Sequence, residues 1–481
     1  MLLLSVQIGV LCFHLLAWGA VFHVLMTKRD PRSAFGWSAI CLMVPVLGVL
    51  LYALFGIGRT QSRASRLMRA IASREPGYAH PAPRPAELEH LPASLLRMAK
   101  PGLHLTGQPV AGGNAITPLV NGNAAYPAML SAIRQAQRHV FLSTYIFSSG
   151  VIADRFVEAL KEAHARGCDV RVIIDGVGRA YSLSTPARKL KEAGVKVAFF
   201  LPPKLFPPLL SINLRNHRKV LVCDDTGFTG GMNIARRYRD GINNGPWRDT
   251  HLRLLGPPVT QLEVVFLSDW RFCAHELLLD PKYFPPQPLN HPATQPLSHS
   301  ATQIVTSGPM DRWDTIMQGM VHAIEQSRHY LYIQTPYFTP TAPILMAIQN
   351  AALAGVDVRL MLPATTDRGV LTRLASQSYF RDLIPAGVKI YRFKKGFMHA
   401  KTIVCDDDFA TIGSTNLDPR SMEQNFEVNA FFYGGDVVCR QRDIFLQDQE
   451  SCTLVDPDLW QHRSILHKFL ESAARVLTPI L

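Results

Sequence analysis

Two short segments pair a histidine with a lysine two residues further along the chain. The first contains His217 and Lys219, and the second contains His399 and Lys401. A neutral imidazole can attack phosphorus, an ammonium group can stabilise charge on the non-bridging oxygens, and a second imidazole can protonate the leaving alkoxide. Each segment supplies half of this set. The two segments together therefore predict one site for phosphodiester chemistry.

Each His-x-Lys segment is followed directly by a strand-like sequence. Residues 220–222 are Val-Leu-Val and residues 402–404 are Thr-Ile-Val, which is typical of a buried strand. Side chains two residues apart share one face of a strand, so each histidine projects beside its lysine. The motif aspartates, Asp224 and Asp406, follow these strands. They belong to the catalytic motif, but their distance along the chain predicts support of the loop or strand, not direct proton transfer.

A short turn rich in small residues follows each motif. The first is Gly-Gly-Met-Asn, ending at Asn233, and the second is Gly-Ser-Thr-Asn, which contains Ser414 and ends at Asn416. Small residues allow the backbone and an amide side chain to approach a phosphate closely. We therefore expect these residues to bind substrate. A simple turn is the alternative interpretation, because Gly and Asn commonly form turns.

The motifs occupy matching positions of an internal repeat. Residues 132–144 match residues 323–335 in order and type, and residues 165–175 match residues 353–363. Helical patterns alternate with short β-branched strands, which predicts an α/β fold with parallel components in its sheets. One motif alone would more often be a structural feature. Two motifs at matching positions of a duplication favour a single site between the two repeats.

Composition limits the class of protein. The chain has 481 residues, a formal net charge of +13 and an apolar content sufficient for a large core, which excludes a disordered or fibrous protein. The positive charge favours nucleic acid or an acidic lipid surface as partner. The eight cysteines include no CxxC pair and no cluster with histidine at metal-ligand spacing, so we expect reduced thiols and no metal site.

The N-terminal region contains two long stretches without charged side chains, residues 1–26 and 33–58. Each is long enough to predict a transmembrane helix. A hairpin that enters one leaflet and returns is an open alternative, whereas a cleavable signal peptide fits poorly because no basic residue precedes the apolar run. The arginines in residues 59–74 favour a cytoplasmic location for the C-terminal part.

Proline-bearing stretches separate the predicted domains. The predicted parts are an anchor at residues 1–58, a linker at 59–104, a first repeat at 105–280, a second linker at 281–303 and a second repeat at 304–481. The last part ends with residues 459–481, whose apolar residues have helical spacing. We expect this helix to pack in the core, and an interfacial helix is the alternative.

The chain resembles the phospholipase D superfamily from about residue 105 onwards, and within it the bacterial cardiolipin synthases. The stretches that carry the resemblance are Arg215–Lys219, Trp247–His251, Asp269–Trp270, Thr335–Phe338, Leu417–Ser421 and Asn425–Glu427. The resemblance implies two pseudo-symmetric repeats whose mixed sheets are sandwiched by helices, preceded by two transmembrane helices. It also implies an enzyme of the bacterial inner membrane. The reaction implied is transfer of a phosphatidyl group between two phosphatidylglycerol molecules, without a cofactor, giving cardiolipin and glycerol.

The resemblance also implies roles for single residues. It makes His217 the nucleophile that forms a phosphohistidine and His399 the general acid, with Glu427 and Asp249 as the carboxylates that orient the two imidazoles. A plain surface carboxylate is the alternative for Asp249. Residues 145–150 lack the acidic residue that many relatives carry, which leaves the acceptor alcohol open.

Two other classes of protein agree with parts of the sequence. A nuclease is compatible with the net charge, but the apolar N-terminal stretches and the lack of aromatic residues among the basic clusters argue against nucleic acid as a partner. A non-catalytic scaffold would not need two complete motifs. Phosphatidylglycerol and anionic membrane lipid are therefore the expected partners.

Overall fold

The computed structural model describes residues 2–28, 31–56, 92–178, 185–202, 214–239, 246–278, 283, 300–308, 313–367 and 369–478. Two compact units are present, Met1–Ala70 and Ile71–Leu481. The arginine cluster at 59–74 and most of the predicted linkers at 59–104 and 281–303 lie outside the described residues. The predicted domain limits therefore remain predictions.

The N-terminal unit consists of short helical segments packed on a first, longer helix. Its elements are α1 (Leu2–Thr27), α2 (Pro31–Met43), α3 (Pro45–Leu51) and a π-helical turn (Tyr52–Gly56). Buried Val21, Val24, Cys41 and Tyr52 belong to its core, and the Tyr52 hydroxyl lies 2.8 Å from His23 Nδ1. In the part of the chain that the structure describes, no helix has both the length and the apolar character needed to cross a membrane.

The first sheet of the larger unit is mixed. Its strands are β1 (Ala115–Val120), β2 (His139–Thr144), β3 (Asp169–Asp175), β4 (Lys196–Phe200), β5 (Val220–Cys223), β6 (Thr226–Gly230) and β8 (Thr250–Leu255), and the short strand β7 (Trp247–Arg248) lies outside this sheet. The strand order is β1-β8-β6-β5-β2-β3-β4, with β2, β3 and β4 parallel and β5 antiparallel to β2. The helices of this part are α4 (Ala93–Thr106), α5 (Asn121–Gln135), α6 (Val151–Ala165), α7 (Thr185–Glu192) and α8 (Pro257–Ala274).

The second sheet repeats this arrangement. Its strands are β9 (Ala301–Ser307), β10 (Tyr330–Gln334), β11 (Asp357–Pro363), β12 (Lys389–Phe393), β14 (Thr402–Cys405), β15 (Phe409–Gly413), β16 (Glu427–Tyr433) and β17 (Cys452–Leu454), in the order β17-β12-β11-β10-β14-β15-β16-β9. Strands β10, β11 and β12 are parallel and β14 is antiparallel to β10, as in the first sheet. The helices are α9 (Thr315–Gln326), α10 (Ala342–Leu353), α11 (Val370–Ser378), α12 (Phe380–Leu383), α13 (Pro419–Glu423), α14 (Asp436–Gln449), α15 (Pro457–Gln461) and α16 (Ile465–Val476). The predicted α/β fold with two mixed sheets is confirmed.

Short backbone segments join the two repeats. Strand β7 pairs in parallel with β13 (Phe397–Met398), and an isolated bridge connects Asn216 with Phe426. Each of these contacts lies next to one motif histidine. The repeats therefore meet at the two His-x-Lys segments.

The C-terminal helix differs from its prediction. Ile465, Leu466 and Phe469 on α16 are 86%, 67% and 65% exposed, whereas Glu471 and Ala474 are its buried residues. Trp460 on the preceding helix does pack against the core of the second repeat. The expectation that the apolar residues of this region pack in the core is thus wrong for α16, because the contacts of Arg475 with Asp382 and Tyr379 hold the other face of the helix inward.

Candidate active site

Each motif histidine is held by the backbone of the opposite repeat. The amide of His217 donates to the carbonyl of Phe426 at 2.9 Å, and the amide of His399 donates to the carbonyl of Arg248 at 2.7 Å. Both histidines lie just before the central strand, β5 or β14, that continues their motif. The position of each imidazole thus depends on both repeats.

The His217 imidazole faces a buried carboxylate. Its Nδ1 lies 3.0 Å from both carboxylate oxygens of Glu427, which begins β16 and is fully buried. Ser414 Oγ donates to the same carboxylate, and Asn425 Nδ2 donates to it at 3.2 Å. Three donors therefore surround Glu427. This contact leaves His217 Nε2 as the nitrogen available to a substrate.

The His399 imidazole has a matching partner from the first repeat. Its Nδ1 lies 2.6 Å from Asp249 Oδ2, and Asp249 Oδ1 accepts the Thr250 amide at 2.8 Å. Gly231 occupies the position of Ser414, and a Cβ there would lie 2.3 Å from Asp249 Oδ1. No hydroxyl fits at that position. The two carboxylate–histidine pairs have the same layout but different numbers of donors.

Both motif lysines are buried beside their histidines. Lys219 Nζ donates to the His217 carbonyl, and Lys401 Nζ donates to the His399 carbonyl at 2.6 Å and lies 2.9 Å from His399 Nδ1. The positive charges of both lysines lower the pKa of both histidines. The two imidazoles and the two ammonium groups therefore form one electrostatic site, as a single anionic phosphodiester would require.

Burial makes both imidazoles neutral bases. It lowers the pKa of His217 to about 4 and outweighs the opposing effect of Glu427. Burial, with the charges of Lys401 and Lys219, also lowers the pKa of His399 well below the usual 6.5. A neutral imidazole is the form needed for attack on phosphorus. A bound anion would counter the lysine charges and raise both histidine pKa values, which favours proton uptake by the imidazole that is not attacking.

The two carboxylates differ in charge state. Burial raises the pKa of Asp249 to about 7, although Lys401 and the Thr250 amide act in the opposite direction. Burial also acts to raise the pKa of Glu427, but His217, Lys219 and Ser414 outweigh it, so that this pKa is lowered. Glu427 is thus ionised at neutral pH. A negative carboxylate stabilises a cationic imidazole. That negative charge is permanent beside His217, where Glu427 lies, and depends on pH beside His399, where Asp249 lies.

The two motif asparagines have different surroundings. Asn233 accepts the Ile146 amide at 3.1 Å and donates to the Tyr238 hydroxyl at 3.0 Å, so its side chain is occupied by protein groups. Asn416 is 3% exposed, and its Oδ1 has no hydrogen-bond partner among the described residues. Of these two side chains, Asn416 has the less satisfied amide. The expected role of both in phosphate binding remains a prediction.

The motif aspartates lie at the opposite ends of the motif strands from the histidines. Asp224 accepts the amides of Gln137, Arg138 and His139 at 2.7 to 3.0 Å, at the start of β2. Asp406 accepts three amides at the start of β10 in the same way. Both have positive φ angles in the turn after their strand. Their contacts lie at the turns and not beside the histidines, in line with the structural role predicted from their distance along the chain; the catalytic grouping of the two aspartates stays a prediction.

An arginine within the first motif binds several groups of the site. Arg218 donates to Asp269 Oδ1 at 2.7 Å, to the Glu427 carbonyl at 3.1 Å and to the Ser307 carbonyl at 2.9 Å. Arg218 and Asp269 are buried, so the pair connects the first repeat to β9 and β16 of the second. The motif spacing alone does not predict this role for Arg218. The position of Arg218 between His217 and Lys219 is the sequence feature that could have indicated this role.

Aromatic rings complete the walls of the site. The Tyr145 ring centroid lies 5.3 Å from that of His217, and the rings of Tyr238 and Trp247 lie 5.3 and 4.8 Å from that of His399. Asn425 and these rings were not predicted as site residues. Within the described ranges, no group of three or more His, Cys, Asp or Glu side chains is arranged to hold a metal ion.

The sequence matches two family profiles. A family profile described as "Cardiolipin synthase, PLD-like domain" matches residues 129–244 and 320–449, one segment in each repeat. The chain belongs to the cardiolipin synthase family of phospholipase D-like proteins. A profile described as "Phospholipase_D-nuclease N-terminal" matches residues 15–56. The two profiles thus match one segment in each repeat and part of the N-terminal unit.

Individual relatives match nearly the whole chain. A cardiolipin synthase of Geobacillus thermodenitrificans is 36% identical over 468 residues, covering 96% of this chain and 91% of the relative. One from Listeria monocytogenes serotype 4b is 33% identical over 485 residues, covering 96% of both chains. Among solved structures, phosphatidylserine synthase of Haemophilus influenzae aligns with a TM-score of 0.61 at 14% identity, over 80% of this chain and 100% of its own. That likeness establishes a shared fold.

Proposed function

We propose that this protein synthesises cardiolipin by transferring a phosphatidyl group from one phosphatidylglycerol to another and releasing glycerol. The observation that carries the proposal is the pair of buried carboxylate–histidine contacts, each formed between repeats, in a chain of the cardiolipin synthase family. Two imidazoles and two ammonium groups around one position suit an anionic phosphodiester. Close relatives named cardiolipin synthase support the choice of lipid.

The first step of the proposed reaction forms a phosphohistidine. His217 Nε2 attacks phosphorus of the donor lipid, and the bond between phosphorus and the glycerol oxygen breaks. His399, which takes up a proton from solvent when the anionic lipid binds, gives that proton to this oxygen, so that glycerol leaves. The Glu427 carboxylate at His217 Nδ1 stabilises the positive charge that develops on the imidazole. We assign His217 as the nucleophile and His399 as the acid because Glu427, beside His217, is permanently charged, whereas the charge of Asp249, beside His399, depends on pH.

The second step reverses these roles with a new alcohol. His399, now neutral, removes a proton from the hydroxyl of a second phosphatidylglycerol. The oxygen attacks phosphorus and the bond to His217 Nε2 breaks, which gives cardiolipin and returns both imidazoles to their first state. Lys219 and Lys401 stabilise the phosphoryl oxygens in both steps, and Asn416, with Asn233 in a lesser role, contributes to phosphate binding.

The N-terminal unit is proposed to hold the enzyme at the bacterial inner membrane, with the catalytic repeats in the cytoplasm. No charged side chain occurs between Met1 and Met26. Leu11, Leu15, Trp18 and Phe22 along α1 are between 60% and 67% exposed. Lipid contact would cover these side chains. Labelling of cysteines introduced before and after this unit, in intact cells and in lysed cells, tests the location of each side.

Purified protein in mixed micelles with phosphatidylglycerol as the sole lipid substrate tests the reaction. Cardiolipin and glycerol should form in equal amounts. Phosphatidic acid as the main product would identify a hydrolase, and product that forms only after another alcohol is added would identify a transphosphatidylase with a different acceptor. Either result would overturn the proposed acceptor.

Histidine variants test the mechanism. His217→Asn and His399→Asn should each lower the rate of cardiolipin formation by at least about 1,000-fold, because each removes a group that acts on the reacting atoms. His329→Asn is a matched control, since the His329 side chain is exposed. Substantial activity in either motif variant would contradict the two-histidine scheme.

A further inference from the structure

Helix α16 has its apolar face turned outward. Ile465, Leu466, Phe469 and Val476 are 86%, 67%, 65% and 77% exposed. The acidic residue of the helix, Glu471, is buried instead. An ordinary surface helix of a water-soluble domain packs its apolar side inward and exposes its charges. In α16 the apolar side faces outward and the carboxylate faces inward, so contact of this outer face with water is unfavourable.

Polar contacts fix this orientation. Arg463 donates to Glu471 at 3.0 Å, and His467 Nε2 lies 3.2 Å from the same carboxylate. Arg475 donates to Asp382 at 2.7 Å, and its guanidinium lies 4.2 Å from the centre of the Tyr379 ring. Turning the helix over would break the contacts of Arg475 with Asp382 and Tyr379, which lie outside the helix. The exposed apolar face is therefore a stable feature of the fold.

The apolar surface extends beyond α16. Helix α11 packs against α16, and its Val370 and Leu371 are 59% and 41% exposed. We call this surface the α16 face; its members are Val370, Leu371, Ile465, Leu466, Phe469 and Val476. Large side chains grouped in this way mark an interaction surface, whereas single exposed apolar residues do not.

Positive charge borders the α16 face. Arg373 and Lys468 are exposed beside it, and α16 carries no exposed carboxylate. A cavity of about 370 Å³ next to the helix is lined by Arg381, Arg463 and Lys468 together with Trp460 and Glu471. Within the described residues, Arg463 Nε is buried without a hydrogen-bond partner. An apolar face with a cationic border suits an anionic lipid surface, where side chains enter the acyl region and cations meet headgroups.

We propose that the α16 face docks on the surface of an anionic phospholipid bilayer. The choice of an anionic bilayer rests on the proposed function, in which the substrate is an anionic lipid. Docking would place Phe469 and Leu466 among the acyl chains and the cation-lined cavity at the headgroups. The contact would hold the catalytic repeats at the surface from which the substrate is drawn.

Fluorescence quenching tests the position of Phe469 in the full-length protein. The variant Phe469→Trp is reconstituted in bilayers of phosphatidylglycerol and phosphatidylcholine with brominated acyl chains, and the signal of the unsubstituted protein is subtracted. The added tryptophan should emit at shorter wavelength than in water and lose at least about half of its intensity, since bromine quenches at contact. The matched control is Asn350→Trp, which replaces an exposed residue of α10; its added signal should remain unquenched.

Two results would overturn the proposal. An added tryptophan at position 469 that is unquenched with emission typical of water would mean that the face stays in solvent. Unquenched emission at short wavelength would mean that protein, such as a second copy, covers the face. If quenching occurs but the protein converts no phosphatidylglycerol, the docking surface stands and the proposed function fails.

A charge-neutral double variant tests the consequence for turnover. Leu466→Ser/Phe469→Ser should lower cardiolipin formation in bilayers by at least about tenfold, equivalent to about 1.4 kcal/mol of binding. It should leave the rate on short-chain phosphatidylglycerol, dissolved as monomers, within about twofold of the unsubstituted protein. The control Asn350→Ser/Gln447→Ser replaces two exposed polar residues on other helices and should change neither rate. An equal loss on both substrates would indicate damage to the fold and would contradict a docking role.

Discussion

Replacing Glu427 by glutamine removes the charge beside His217 with little change in shape. The carboxylate lies 3.0 Å from His217 Nδ1 and is fully buried. At that distance and an effective dielectric constant of about 20, a carboxylate and an imidazolium attract each other by about 5.5 kcal/mol. If about half to four-fifths of the positive charge is present at the transition state, the loss is about 3–4 kcal/mol. Each 1.4 kcal/mol is a factor of about ten, so we expect kcat to fall by about 100- to 1,000-fold.

The assay is cardiolipin formation at saturating phosphatidylglycerol, with the unfolding temperature measured on the same sample. Glu263→Gln is the matched control, because Glu263 is also a buried glutamate, 3.1 Å from His139, at the opposite end of the motif strand from His217. That variant should lower stability and leave kcat of the folded protein nearly unchanged. If a folded Glu427→Gln protein retained more than about a tenth of the activity, the electrostatic role of Glu427 would be refuted.

Three further predictions concern neighbouring groups. Ser414→Ala removes a donor to Glu427 and should lower kcat about tenfold, with partial recovery at higher pH as the carboxylate ionises, measured as a pH–rate profile. The pKa of Asp249, about 7, lies above its usual value, so the protonated carboxyl stabilises the fold at low pH and this contribution is lost as the pH rises from about 4 to about 7. Asp249→Asn keeps the neutral form, so its unfolding free energy relative to the unsubstituted protein should increase by about 2–3 kcal/mol between pH 5 and 8 in urea titrations. Arg218→Met leaves Asp269 buried without its cation and should cost about 3–5 kcal/mol of unfolding free energy, whereas the double variant with Asp269→Leu should regain much of that loss.

The features predicted from the sequence are those with local patterns. The strands after His217 and His399 follow from short apolar runs, and the matching order of helices and strands in the two repeats predicts two similar mixed sheets. Because side chains alternate along a strand, the pairing of each histidine with its lysine also follows from spacing. These predictions need no knowledge of how the repeats meet.

The contacts between repeats carry no such pattern. Glu427 lies 210 positions from His217 in sequence, and Asp249 lies 150 positions from His399, so the resemblance to a family, not the spacing, suggested these partners. Arg218 and Asn425 were not predicted, because their role depends on buried groups that only the fold brings together. Burial also determines the charge states of the site.

The C-terminal helix shows a second limit of prediction from sequence. Its apolar residues have the spacing of a helix with one apolar face, and that spacing does not indicate whether the face turns inward or outward. The contacts of Arg475 with Asp382 and Tyr379 decide the orientation. Such contacts are visible only once the helix is packed on its neighbours.

The measurement that tests the central claim most directly is identification of the covalent intermediate. The protein is mixed with phosphatidylglycerol, quenched at alkaline pH within the first turnover, digested and analysed by mass spectrometry, because phosphoramidates survive base better than acid. The proposed mechanism predicts a phosphatidyl group on the peptide that contains His217, and its absence in His217→Asn. An adduct on His399, or first-turnover cardiolipin formation without any adduct, would contradict it.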